Sequence, residues 1–192
     1  QIAVRRRADY NGDGIQPAIL AISANFTKRN DGKIPFSNFK TLAHEFGHAA
    51  HSLLSDVAAP SLSGTSVARD FVELPSQLNE KWFTQERNKQ KPHVMAAYLA
   101  MMRVMKARLD MTLYTAPKPK DIDIKATEAE LSHRYLGYPE GQTSSISTQF
   151  YHIFGQSDYA ARYYGYLWSD MLAQDAYAAF EETGDLYDEH TT

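Results

Sequence analysis

The sequence predicts a mainly α fold with one small β element near the N-terminus. Apolar residues recur at helical spacing over long stretches, and short Gly-, Pro- and Asn-rich breaks separate them. One run alone, "IQPAILAISANF" (15–26), reads as a short apolar strand bounded by turn signals.

Those turn signals are "YNGDG" (10–14) and "TKRNDGK" (27–33). From Phe36 to about Leu54 the apolar spacing is helical. "APSLSGTS" (59–66) is a loop, and a second helical pattern runs from about Val67 to Glu86, interrupted by Pro75. "NKQKP" (88–92) breaks the chain before a long Ala-, Met- and Leu-rich helix over 94–114. "TAPKPKDID" (115–123) is a short linker, and a further helix covers roughly 126–136. "GYPEGQTSSIST" (137–148) is a loop leading into "QFYHIF". The last helix is expected from about Asp158, with Ser157 as N-cap, to Gly184 as its stop. No internal repeat divides the chain, so residues 1–192 are expected to form a single region.

Bulk properties exclude several classes of partner. A net charge of -3 leaves no basic footprint for nucleic acid. No apolar run approaches the roughly 18 residues a membrane span needs. With no cysteine there is neither a disulfide framework nor a thiolate metal site, which leaves the compartment open while leaning towards the cytoplasm. The chain begins with Gln1, and "QIAVRRR" has no signal-peptide core, so a piece of a longer protein is expected.

The chemistry concentrates in "TLAHEFGHAAH" (41–51). On a helical wheel with His44 at zero, His48 lies at about 40°, His51 at about −20° and Glu45 at about 100°. Leu42, Phe46, Ala49, Ala50 and Leu53 fall between about 140° and 240°, which predicts an apolar packing face opposite the histidines. Imidazoles one turn apart can converge on one metal ion, and Glu45 beside them can take a proton from bound water. H-E-x-x-H is the zinc-peptidase signature. A catalytic zinc asks for a third protein ligand and an open position. "ARDFVELPSQLNEKW" supplies Glu73 on the second predicted helix, whose apolar stripe is Phe71, Leu74, Leu78 and Trp82. Asp70 shares the face of Glu73 and is either an acceptor for a histidine N–H or a helix-start residue favoured by the dipole. Glu80 has the charge of a ligand but lies farther along that helix, and His51 reads as a packed neighbour.

A second constellation is "FYHIFGQSDYAARYYGYLW" (150–168). Tyr159, Tyr163 and Tyr166 fall on one helical stripe and Tyr164 and Trp168 on another; Tyr163, Tyr164 and Trp168 read as core. A tyrosine O–H or histidine N–H can stabilise the oxyanion of peptide hydrolysis. Spacing alone does not choose which tyrosine does so.

"HEFGHAAH", "LSGTSVARDFVELPSQLNEKW" and "FYHIF…YAARYYGYLWSDMLAQD" together resemble the thimet oligopeptidase/neurolysin family of zinc metallopeptidases. "SLSGT…RDFVE.PSQ.NE.W" is most similar to its dipeptidyl carboxypeptidase (peptidyl-dipeptidase) branch, and "QPAILAISANF" and "RLDMTLYT" extend the likeness over nearly the whole chain. The resemblance implies a helical zincin-type catalytic region with one Zn2+ on the floor of a channel. It implies His44, His48 and Glu73 as metal ligands and Glu45 as general base. It also implies His152, Tyr159 and Tyr166 as catalytic and substrate-binding groups. The expected activity is hydrolysis of short peptides, releasing C-terminal dipeptides. The alternatives are an oligoendopeptidase of the same family or a fragment that binds zinc without catalysis. "GQSD" stands where the family has a Gly-Gly-type loop, Arg162 where it has small residues, and the stretch from Trp82 to Arg108 is shorter than in dipeptidyl carboxypeptidases. The chain is expected to be a fragment of the catalytic region, with the rest of the parent chain completing the substrate channel.

Overall fold

A computed structural model describes residues 2–5, 17–26, 28–89, 93–155, 159–188 and 190. In chain order it contains strands β1 (Ile2–Arg5) and β2 (Ile19–Ala21), then helices α1 (Phe36–Leu53), α2 (Leu74–Lys89), α3 (His93–Tyr114), α4 (Ile124–Leu136), α5 (Tyr151–Phe154) and α6 (Gly165–Thr183). Single 3-10 turns lie at Pro60–Leu62, Pro119–Asp121 and Ser147–Gln149. The mainly α expectation holds. The predicted turn at 10–14, the start of the predicted strand at 15–16 and the Ser157 cap lie outside the described residues.

The chain divides into two compact units, Gln1–Lys89 with Trp168–Thr192, and Gln90–Leu167. In the first, β1 and β2 form an antiparallel pair with Ile2 opposite Ala21 and Ala3 opposite Leu20. Its centre is the contact between α1 and α2, which is made by small residues. Gly47 of α1 meets Ser76, Pro75 and Asn79, while Ser52, also buried on α1, packs against Gly64 instead. A Cβ built at Gly47 would stand 2.5 Å from Ser76 Cα and 2.6 Å from the Pro75 carbonyl oxygen. Only glycine allows the two backbones so close. Asn79 clamps the crossing by donating its Nδ2 to the Ala43 carbonyl at 2.7 Å.

This packing corrects the wheel. Leu42, Phe46 and Leu53, expected to face the core, are 38%, 54% and 44% exposed, whereas the histidine side of α1 is turned inward. Backbone proximity at Gly47 outweighs the burial of larger side chains on the other face. The stripe expected on α2 is displaced for the same reason: Phe71 is exposed, and Leu74, Leu78 and Trp82 are half-buried.

The start of α2 also differs from the expected helix over 67–86. The helix begins at Leu74, and residues 69–73 are turns. Pro75 falls in the first turn, where its missing N–H removes nothing the helix uses. The Glu73 carbonyl accepts the first helical bond, from Gln77 N–H at 2.9 Å, so Glu73 occupies the cap position. The residues of α6 from Trp168 onward hold α2 in place. Lys81 Nζ lies 3.2 Å from Asp170 Oδ1, and the Trp82 ring packs edge-on against Tyr177 and Phe180. Ser169 Oγ donates to the Asp70 carbonyl at 2.7 Å and so pins the turn ahead of α2.

The second unit has an apolar core of Met105, Leu109 and Leu113 from α3, Leu131 from α4, and Phe150 and Ile153. Each such side chain contributes about 1.5–3 kcal/mol on full burial. Asp123 caps α4 by accepting from Ala126 N–H at 2.9 Å, and Gly137 ends it at φ 71°. Two buried carboxylates then shape the loops. Glu128 accepts from the Ile146 and Ser147 N–H groups and from the Ser144 and Ser147 hydroxyls, fixing the approach to α5. Asp110, fully buried, accepts from Ala161 N–H and Tyr163 N–H, each at 2.8 Å. With Ala161 at φ 57°, this holds residues 160–164 as turns, so the last helix starts at Gly165 rather than near 158. Its predicted stop at Gly184 is observed, with φ 75°.

Replacing Gly47 with alanine will force α1 and α2 apart. Thermal unfolding followed by circular dichroism should show a loss of about 1–3 kcal/mol, the usual cost of overpacking a tight contact.

Candidate metal centre

Because α1 and α2 meet at Gly47, the imidazoles of His44 and His48 face the cap residue of α2. His44 Nε2 lies 3.1 Å and His48 Nε2 3.2 Å from the same oxygen, Glu73 Oε2. The rings are 4.9 Å apart and nearly perpendicular. Glu73 is 2% exposed, and Ser76 Oγ stands 3.0 Å from its Oε2. The ligand atoms of His44, His48 and Glu73 all lie within 4.8 Å of one another. A tetrahedral ion with bonds of about 2.0–2.1 Å would put its ligand atoms roughly 3.3–3.4 Å apart. The observed spacings to Glu73 are within a few tenths of an ångström of that figure, so the donor set fits a small divalent cation with one position left over.

Each imidazole has a second nitrogen, and here the two differ. His44 Nδ1 is 2.7 Å from Glu80 Oε1, and Lys40 Nζ is 2.8 Å from the other oxygen, Glu80 Oε2. His48 Nδ1 is buried with no hydrogen-bond partner among the described residues. At His44 the carboxylate on Nδ1 is that of Glu80, a residue the sequence analysis had considered only as a metal ligand. Asp70 sits in the turn before α2, not on a helical face shared with Glu73. His51 packs edge-on near Phe71, at 6.3 Å between centroids. Glu45 lies on α1 next to His44, half-buried.

Electrostatics at His44 follow from this geometry. Burial disfavours the imidazolium, but hydrogen bonds and charge from Glu73 and Glu80 outweigh it and raise the pKa from 6.5 to about 9. Glu80 is likewise desolvated, yet His44 and Lys40 hold its carboxyl below the ordinary range. Without metal, His44 is a cation between two carboxylates.

The second unit gathers the other expected site residues. The exposed His152, on α5, is ringed by Tyr159, Tyr163 and Tyr166, with centroids 5.9, 5.7 and 5.8 Å away. Tyr159 and Tyr166 stack at 5.2 Å with planes 19° apart. The pairing predicted from one helical stripe thus forms by another route, since Tyr159 and Tyr163 precede α6. Tyr163 packs on the Phe150 core at 4.7 Å, whereas Tyr164 and Trp168, expected in the core, are 40% and 52% exposed. Arg162 is exposed.

The sequence profile of Peptidase family M3 matches residues 2–93 and 88–191. Dipeptidyl carboxypeptidase of Salmonella typhimurium is 37% identical over 199 residues, covering 89% of this chain and 29% of the relative. Oligopeptidase A of Escherichia coli is 31% identical over 206 residues, covering 93% and 30%. Mitochondrial intermediate peptidase of Vanderwaltozyma polyspora is 31% identical, covering 95% and 26%. The chain thus spans under a third of the length of these relatives.

The raised pKa of His44 sets a pH dependence for the metal-free chain. Its folded value exceeds the unfolded one, so the contribution to stability is complete below about pH 6.5 and disappears as pH rises through about 9. Melting in the presence of chelator should show a loss of about 2–4 kcal/mol across that window. A His44→Gln variant should show a flatter profile.

Proposed function

The chain belongs to peptidase family M3, and on that footing we propose that it hydrolyses peptide bonds in short peptides with one zinc ion held by His44, His48 and Glu73. The observation that carries the proposal is the convergence of two imidazole nitrogens and one buried carboxylate oxygen within 4.8 Å. Zinc bound by these ligands would supply Lewis acidity towards the scissile carbonyl and towards a water molecule.

The chain's own groups would do the rest. Glu45, one position from His44 on α1, takes the proton of the attacking water and returns it to the leaving amine. His152, Tyr159 and Tyr166, carried over from the family resemblance, bind the substrate and donate N–H or O–H to the oxyanion. The stacking of Tyr159 on Tyr166 beside His152 supports treating the three as one functional group. We assign residues 1–192 to one catalytic region whose substrate channel is completed by the rest of the parent chain.

Release of C-terminal dipeptides is the preferred mode, supported by 37% identity to a dipeptidyl carboxypeptidase against 31% to oligopeptidase A. Internal cleavage is the second reading, favoured by the wider coverage of this chain by oligopeptidase A. A cytoplasmic location belongs to the same proposal and is supported by the lack of cysteine.

A quenched fluorescent peptide and metal analysis test the chemistry. Glu45→Gln should keep its zinc and lose turnover by at least about a hundredfold. Undiminished turnover in that variant would remove Glu45 as the base. Zinc uptake by the parent chain with no hydrolysis would instead support a metal-binding fragment without catalysis. Mass spectrometry of peptides with free and amidated C-termini separates the two cleavage modes, because dipeptide release depends on the free carboxylate.

A further inference from the structure

Resting on the zinc reading above, we infer that Glu80 and Lys40 form a positioning pair that commits His44 to bind metal through Nε2. An imidazole that offers Nε2 to a metal must carry its remaining proton on Nδ1. At His44 that proton has an acceptor in place: Glu80 Oε1 at 2.7 Å. The acceptor is itself held, because Lys40 Nζ takes its other oxygen at 2.8 Å. Lys40 and His44 are one turn apart on α1, and Glu73 and Glu80 are two turns apart along α2. One helix contact therefore delivers both the carboxylate that faces Nε2 and the carboxylate that faces Nδ1.

The pair differs from a solvated ion pair in its surroundings. The Glu80 side chain is 16% exposed and that of His44 19%, so their hydrogen bond is only weakly screened. Lys40, 39% exposed, contributes from the rim. The contrast with His48 sharpens the assignment. Its Nδ1 is buried and has no hydrogen-bond partner among the described residues, so nothing comparable fixes that ring. At His44 the Nδ1 proton thus has its acceptor in place whichever way Nε2 is used, whereas no described residue accepts from Nδ1 of His48.

Zinc competition with a chromophoric chelator, together with 15N spectra of histidine-labelled full chain, tests the assignment. Glu80→Ala should raise the zinc Kd by about ten- to a hundredfold. It should also abolish the protected His44 Nδ1–H resonance of the zinc-loaded chain, and Glu80→Asp should recover part of both. Lys40→Met should shift that resonance with a smaller loss of affinity, and as a rim substitution it carries the test if Glu80→Ala does not fold. A folded Glu80→Ala chain with the parent's Kd and an unchanged resonance would overturn the inference while leaving the zinc reading intact. A parent chain that takes up no zinc would overturn both, and the parent titration alone tells the two failures apart.

Discussion

A carboxylate buried between two imidazoles is the interaction on which the first unit depends. Ionised and unpaired, a group as buried as Glu73 would cost several kcal/mol. Here it is offset three ways: by the histidines of α1, by the Ser76 hydroxyl, and by its position at the N-terminus of α2, where the helix dipole favours negative charge. The first requires α1 and α2 to cross where they do, whereas the other two are local to the first turn of α2. The crossing consequently serves the acid as much as the core, which explains why small and polar side chains fill it while leucines and a phenylalanine are left outside.

The same crossing makes the two histidines unequal. His44 lies between Glu73 and Glu80, whereas among the described residues His48 has a partner on Nε2 and none on Nδ1. Without metal, His44 as a cation compensates two acidic groups. A metal ion held by His44, His48 and Glu73 would bring its own positive charge in place of the Nε2 proton, with the Nδ1 contact to Glu80 left available. Charge compensation would thus pass from proton to metal with the helix contact already in place, a form of preorganisation.

Much of this was legible in the sequence where the signal was local. The i, i+4 histidines of α1, the helix expected over roughly 126–136 and found at Ile124–Leu136, and the Gly184 stop of α6 all follow from rules within one or two turns. Glu73 was identified through its motif, but its place at the cap was misjudged, because Pro75 was read as an interruption rather than as a first-turn residue. The Nδ1 partner was missed since it depends on two helices meeting across 36 positions. Tyr159 was misplaced onto a helix because Asp110, some 50 positions away, takes the N–H groups that a helix would have used for itself. Apolar periodicity placed Leu42, Phe46 and Leu53 inside, where they are exposed, and missed the inward turn of the histidine side, although Ala49 of the expected face is buried.

Gly47 gives the motif a steric meaning besides its chemical one. Between Glu45 and His48 lies a notch that receives the backbone of the neighbouring helix. Grafting histidine, glutamate and histidine onto an arbitrary scaffold would copy the letters and omit the notch, leaving the third donor out of reach. A designer borrowing this centre should therefore transplant the helix pair with its indentation as one block, and choose the residue at that spot by its shape.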